Sequence, residues 1–217
     1  AIKYMMNLSK ILNMAVERGF IKQNPYPQLK LRKDEVETEF LTDEELEKVL
    51  SKEFVYQRLT EVRDAFVFSC LTGLAFIDTK TLKTEHLVSH NGEQCILKPR
   101  HKSKVISRIP LLPKARKILD RYKAYAENSG FLLPVKTNQT MNEYLKEIAA
   151  LSGLSKNLTT HMACHTFATT VTLSNNVSIE SVSKMLGHTN LTMPLKYARI
   201  LDKKINGEMV AKVAHKY

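Results

Sequence analysis

A chain of 217 residues, 43% of them apolar, is long enough to bury one full core and part of a second. Its 33 Lys and Arg against 22 Asp and Glu leave a formal charge of +11, which favours a polyanionic partner such as nucleic acid over an acidic small molecule, although solvated helix surface accounts for part of any such surplus. Cys70, Cys95 and Cys164 are widely spaced, form no CxxC pair and follow no signal peptide, so a disulfide scaffold is not expected, the chain reads as cytoplasmic, and no apolar run approaches a membrane span.

Residues 1–19 place Ile2, Met5, Met6, Leu8, Ile11, Leu12, Ala15 and Val16 at helical spacing, with Gly19 positioned to end the helix. Without a cap ahead of it or a neighbouring partner in sequence, this helix reads as the last element of a domain that has been cut away. Asn24-Pro25, Pro27 and the mixed charges of residues 30–39 suit an extended interdomain linker over 20–39. A second domain is expected over 40–217. It opens with a capping box of Thr42 and Glu45, followed by an apolar stripe of Leu46, Val49 and Leu50.

Val62, Ala65, Phe66, Phe68 and Cys70 predict a buried helix over 60–71 that ends at Thr72-Gly73, and a short helix follows over 77–82. Residues 94–99 and 105–110 read as the two strands of a β-hairpin carrying Arg100, Lys102, Lys104 and Arg108, the only sheet expected. Pro113 starts a helix running to about residue 128, and 142–152 make another. Thr160 is expected to cap a helix over 161–174, and Ser178 one that ends at Leu186. Pro194 leaves 192–198 short and irregular, and 201–213 form a final helix. The fold class expected is α+β, mainly α, with a small antiparallel sheet.

His161, Cys164 and His165 stand at i, i+3 and i+4, on one face at the start of a predicted helix whose free amides favour an anion such as phosphate. Taken alone they are ordinary residues at a cap. With His188 they are also permitted zinc ligands, but His-x-x-Cys-His crowds three ligands onto one helical turn, which argues against a metal site.

The string HMACHTFATT from His161, then KMLGHTN ending the next helix, then LKYARI around Tyr197, resembles the carboxy-terminal signature of the tyrosine recombinase (phage-type integrase) family, whose first string reads H-x-x-R-H. The flanking sequence is especially similar to integrases of conjugative transposons. The resemblance covers about residues 40–217 and makes the helix at 1–19 look like the last helix of the family's core-binding (SAM-like) domain. It implies a site-specific recombinase that integrates or excises a mobile element. Tyr197 would attack a DNA phosphodiester, leaving a 3′-phosphotyrosine that stores the bond energy for rejoining. A phenol with a reference pKa of about 10 needs a base, and His161 is the candidate. His188 would donate to a non-bridging phosphate oxygen, and Lys102 would protonate the departing 5′-oxygen, with Lys104 left open as its substitute. No metal or cofactor is implied. The resemblance implies double-stranded DNA as the partner, bound by a tetramer on two duplexes in which the terminal helix packs on a neighbouring subunit; alone, the fragment is expected to be a monomer.

Two positions depart from the family pattern. The first catalytic arginine normally follows Thr-Gly-Leu, where this chain has Ala75, with Asp78 retained; the second is replaced by Cys164. Arg100, two residues before Lys102, points to the same face if both belong to one strand, and so could supply the first phosphate clamp. Cys164 offers no charged fork, so cleavage is expected to be severely impaired in this copy, as a deliberate or a natural replacement. The alternative is a catalytically inert DNA-binding protein that retains the recombinase fold.

Overall fold

Residues 65–71, AFVFSCL, are apolar on nearly every side of the helical wheel rather than along one stripe, which is the pattern of a helix surrounded by others. The computed structural model, which describes residues 2–26, 39–90 and 92–187, bears this out. Helix α3 (Gln57–Thr72) is buried at twelve of its sixteen positions. It packs against α2 (Asp43–Ser51), α4 (Phe76–Lys80), α5 (Pro113–Arg121), α7 (Asn138–Leu151) and α8 (Met162–Thr166). Phe66, Phe68 and Leu59 of α3 join Leu41, Leu145, Ile148, Ile96 and Ile109 in one core. The chain divides into two compact units, residues 1–37 and 38–217. In the first, α1 (Ile2–Glu17) ends at Gly19, which is left-handed at φ 74, with Phe20 N donating to Ala15 O at 2.9 Å. No helix among the described residues is long and apolar enough to cross a membrane. Cys70, Cys95 and Cys164 are all free thiols.

The capping box forms as expected: Glu45 N donates to Thr42 Oγ1 at 3.2 Å, and Thr42 N to Glu45 Oε2 at 2.8 Å. Two charged residues within α3 are buried because each is fully engaged. Asp64 accepts from Arg63 Nε at 2.6 Å, Arg121 at 2.5 Å and the Tyr122 hydroxyl at 2.8 Å, while Arg63 also donates to the carbonyls of Leu50 and Lys52. Burial, reinforced by the Asp64 carboxylate, holds the Tyr122 phenol protonated well above its ordinary range. This network explains why the helix expected over 113–128 is two. Tyr122 leaves helical geometry at φ −104, ψ 17, between α5 and α6 (Lys123–Ser129).

The sheet has three antiparallel strands, not two, in the order β1 (Leu87–His90), β2 (Glu93–Pro99), β3 (Ile106–Pro110). Ile96 of β2 sits opposite both Leu87 and Ile109, so the outer strand adds an apolar partner to the same row. On β3 Ser107 and Ile109 face inward and Ile106, Arg108 and Pro110 outward, the period-2 alternation of a half-buried strand.

Thr160 does not cap the helix after it. Its amide donates to Asn142 Oδ1 and its hydroxyl to Asn138 Oδ1, each at 2.9 Å, which ties it to α7 instead. His161 stands at the N-cap without a side-chain cap, and the amide of Met162 donates instead to the Thr159 hydroxyl at 3.3 Å. The helix is also not uniform. After α8 it widens into a π stretch (Phe167–Thr172) and a 3-10 turn (Leu173–Asn175) before α9 (Ile179–Leu186), which Ser178 caps. Threonine hydroxyls bonding back to main-chain carbonyls loosen a helical ladder. Here Thr169 donates to His165 O at 2.6 Å, and Thr172 to Phe167 O and Ala168 O at 2.9 and 2.8 Å. Thr166 accepts from Leu41 N at 3.0 Å and Thr170 donates to Leu41 O, so the same threonines fasten the start of the domain.

Removing a buried carboxylate that two cations share leaves charge uncompensated, which typically costs about 3–5 kcal/mol. Asp64→Ala should lower stability by that order in urea unfolding. Arg121→Ala, which removes a half-exposed partner, should cost far less. Equal midpoints for the two variants would contradict this account of the network.

Candidate active site

Helix α3 ends because Gly73 takes the left-handed conformation, φ 64, with its amide on Ser69 O at 2.8 Å. No other residue fits, since a Cβ would overlap the Phe167 ring and come within 2.9 Å of Leu186. The turn that follows puts Ala75 at the N-cap of α4, where it makes no side-chain cap, and sends Asp78 inward. Asp78 is 2% exposed; its Oδ1 accepts from His101 N at 2.9 Å, and its Oδ2 lies 3.6 Å from the Arg100 guanidinium.

Arg100 is the centre of this region, and its geometry corrects the expectation drawn from spacing. Strand β2 stops at Pro99; Arg100 begins the turn, with its amide on Val105 O at 2.9 Å and its carbonyl accepting from Lys104 N at 2.8 Å. It therefore does not share a strand face with Lys102. Arg100 is 4% exposed, whereas Lys102 and Lys104 are exposed and neither ammonium has a partner among the described residues. The guanidinium donates through Nε to Ser107 Oγ at 2.9 Å, through one terminal nitrogen to Gly73 O at 3.0 Å and through the other to Met185 O at 2.5 Å. Of five N–H groups, at least one is left for another acceptor. Burial pulls this cation below its ordinary pKa and the Asp78 carboxylate opposes that pull.

Cys164 reaches the same place from α8. Its thiol lies 3.6 Å from Gly73 O and 3.6 Å from Leu74 O, so the side chain at the second arginine position and the Arg100 guanidinium meet at one carbonyl. Burial pushes the thiol up to about 11 against the pull of Arg100, with Asp78 adding to the rise, so it is a neutral donor at neutral pH. His161 is exposed at the N-terminal end of α8 and meets the buried His165 edge-on, ring centroids 4.5 Å apart. Among the described residues no three His, Cys, Asp or Glu side chains gather as metal ligands. His188, Tyr197, the piece at 192–198 and the helix expected over 201–213 lie outside the described residues.

On the far side, α9 ends at Gly187, left-handed at φ 65. Its carbonyl accepts from the Ser103 hydroxyl at 2.8 Å. A Cβ there would stand 2.5 Å from Arg100 Cγ and 2.8 Å from Ser107 Oγ. The structure thus brings together Ala75, Arg100 and Cys164, and joins the Lys102 turn to the residue before His188. Sequence reasoning reached Ser103 only as the small hydroxyl residue that follows Lys102 in the family pattern, and missed Ser107 and the Met185 carbonyl. Only Ser107 carried a signal, a polar side chain on the inward face of an alternating strand.

Residues 39–204 match the phage integrase family. A tyrosine recombinase XerD of Listeria monocytogenes serotype 4b is 26% identical over 214 residues, 91% of this chain and 70% of its own length. A tyrosine recombinase of Agathobacter rectalis is 25% identical over 161 residues, 69% of this chain and 51% of its own. Among solved structures, a lambda integrase dimer bound to a COC′ core site superposes with a TM-score of 0.69 at 21% identity, covering 88% of this chain and 69% of that one. The Tn1549 transposon integrase in complex with transposon right end DNA gives 0.68 at 22% identity, covering 94% and 76%. XerH recombinase bound to a palindromic difH substrate gives 0.66 at 22% identity and covers 82% of this chain, which spans about half of the XerH chain. At such identities the superpositions establish a common fold, mainly helical with a small antiparallel sheet. The match over residues 39–204, carried on that fold, makes this chain a member of the phage integrase family.

Proposed function

We propose that this chain is the catalytic part of a site-specific DNA recombinase that cuts and rejoins double-stranded DNA through a 3′-phosphotyrosine at Tyr197. Helix α1 belongs, on this reading, to the end of a core-binding domain, residues 20–39 link it to the catalytic domain at 40–217, and the working assembly is a tetramer on DNA. The supporting observation is the convergence on the Gly73 carbonyl. An arginine from the hairpin, Arg100, stands beside the segment Gly73-Leu74-Ala75 where the family's first arginine is absent. Arg100 supplies the first phosphate clamp through its remaining N–H, His161 accepts the phenol proton, Lys102 protonates the leaving oxygen and His188 binds a non-bridging oxygen.

A second reading, an inert DNA-binding protein on the recombinase fold, draws support from Cys164. Its neutral thiol is turned toward two main-chain carbonyls and brings no positive charge to a phosphate. Loss of a preorganised donor costs about 10²–10³ in rate, so slow cleavage rather than none is the expected state of this chain.

Covalent trapping on nicked suicide DNA separates the two readings. We expect slow adduct formation by the chain itself and a rise of about 10²-fold or more on Cys164→Arg. Binding without any adduct, before and after that replacement, would favour the inert reading. Arg100→Lys keeps the charge but loses the fork, so adduct formation by Arg100→Lys in the Cys164→Arg background should fall at least tenfold, by about 1.4 kcal/mol of barrier. Thermal melts run in parallel check that the fold survives, and an undiminished rate would remove Arg100 from the clamp.

A further inference from the structure

Lys102 hangs on a flexible four-carbon stem with no partner among the described residues, so whatever fixes its ammonium must act through the main chain beneath it. That main chain is held by its neighbour. Ser103 Oγ donates to Gly187 O at 2.8 Å across 84 residues of sequence and accepts from Val105 N at 3.4 Å, so the hydroxyl is gripped on both sides. The turn is otherwise closed by Arg100 N on Val105 O and Lys104 N on Arg100 O, with Lys104 left-handed at φ 60. L side chains rarely adopt that region, so the turn is held there by its bonds. The close approach of the hairpin depends on Gly187, where a side chain would collide with Arg100 and Ser107.

We propose that Ser103 is a positioning residue for strand cleavage. Its hydroxyl latches the hairpin turn to the Gly187 carbonyl at the end of α9 and so fixes the main chain that carries the Lys102 ammonium. The proposal rests on the reading of Lys102 as the proton donor. In that step the Tyr197 oxygen–phosphorus bond forms as the phosphorus–O5′ bond breaks, the phenol proton passes to His161, and O5′ takes a proton from Lys102. Displacing a catalytic group by about 1 Å can cost on the order of 10²-fold in rate, which is the scale at which a single latch matters.

A sulfur placed at the 5′-bridging position tests this, because it departs as a thiolate, whose reference pKa of about 8.5 lies far below that of an alcohol, and needs no proton donor. Adduct formation is measured on ordinary and 5′-thio suicide DNA for the chain and its Cys164→Arg variant, each carrying Ser103→Ala, Ser103→Thr or Lys102→Ala. Ser103→Ala should lose about 10–10²-fold on ordinary DNA and recover near the parental rate on thio DNA, as Lys102→Ala does. Ser103→Thr, which keeps the hydroxyl, should recover most of the rate on ordinary DNA. A Ser103→Ala defect equal on both substrates, or absent on ordinary DNA, overturns the positioning role while leaving Lys102 as donor. Failure of sulfur to rescue Lys102→Ala overturns the donor assignment, and the Ser103 proposal with it. No adduct from either parent on either DNA overturns the enzymatic reading itself.

Discussion

A buried guanidinium is stable only where its charge and its N–H groups are answered, and Arg100 is answered by three segments that lie far apart in the sequence. Ser107 belongs to its own hairpin, Gly73 and Asp78 to the corner after α3, and Met185 to α9. Taking such an ion out of water costs several kcal/mol before compensation, so the hairpin docks in one position or not at all. That single constraint sets the distance from the Lys102 turn to α9 and from α9 to the corner at Ala75. The two left-handed glycines serve it: Gly73 lets α3 turn under Phe167, and Gly187 lets the hairpin close on α9.

The same arrangement explains why the site is poor in charge. The carbonyl of Gly73 is met by Arg100 and by the Cys164 thiol, and the Asp78 carboxylate lies beside the buried Arg100 guanidinium. Ala75 adds nothing, and the thiol stays protonated. Arg100 therefore holds the three segments together, and on the proposed reading it also offers an N–H to a phosphate, two demands on one side chain that two further arginines would relieve. On the proposed reading, Cys164 leaves the general attraction of a basic chain to DNA in place and lacks only the directed, bidentate charge that an arginine at that position would bring to a phosphate.

The elements that could be read from the sequence were those fixed by local chemistry. The Thr42–Glu45 box, the Gly73 stop, the Pro113 start and the Ser178 cap each depend on residues within four positions of one another. What escaped was set by distant partners. Strand β1 has only Leu87 and Val88 as apolar residues and exists because Ile96 pairs with it; the break at Tyr122 is drawn by Asp64, 58 residues earlier. Thr159, not Thr160, accepts from the first amide of α8, because two asparagines of α7 claim Thr160. Spacing brought Arg100 to attention but assigned it to a strand face, whereas the turn buries it. The family signature named the residue types at 161–165, and the structure supplied the contact between Cys164 and Gly73 that spacing cannot give.

The central claim is a covalent bond between DNA and one phenol oxygen. Peptide mapping by mass spectrometry of the adduct trapped on suicide DNA, from the chain and from its Cys164→Arg variant, tests it most directly. The account predicts a nucleotide-modified peptide carrying the mass on Tyr197. A modification on any other residue, or intact DNA recovered from both proteins, would contradict it.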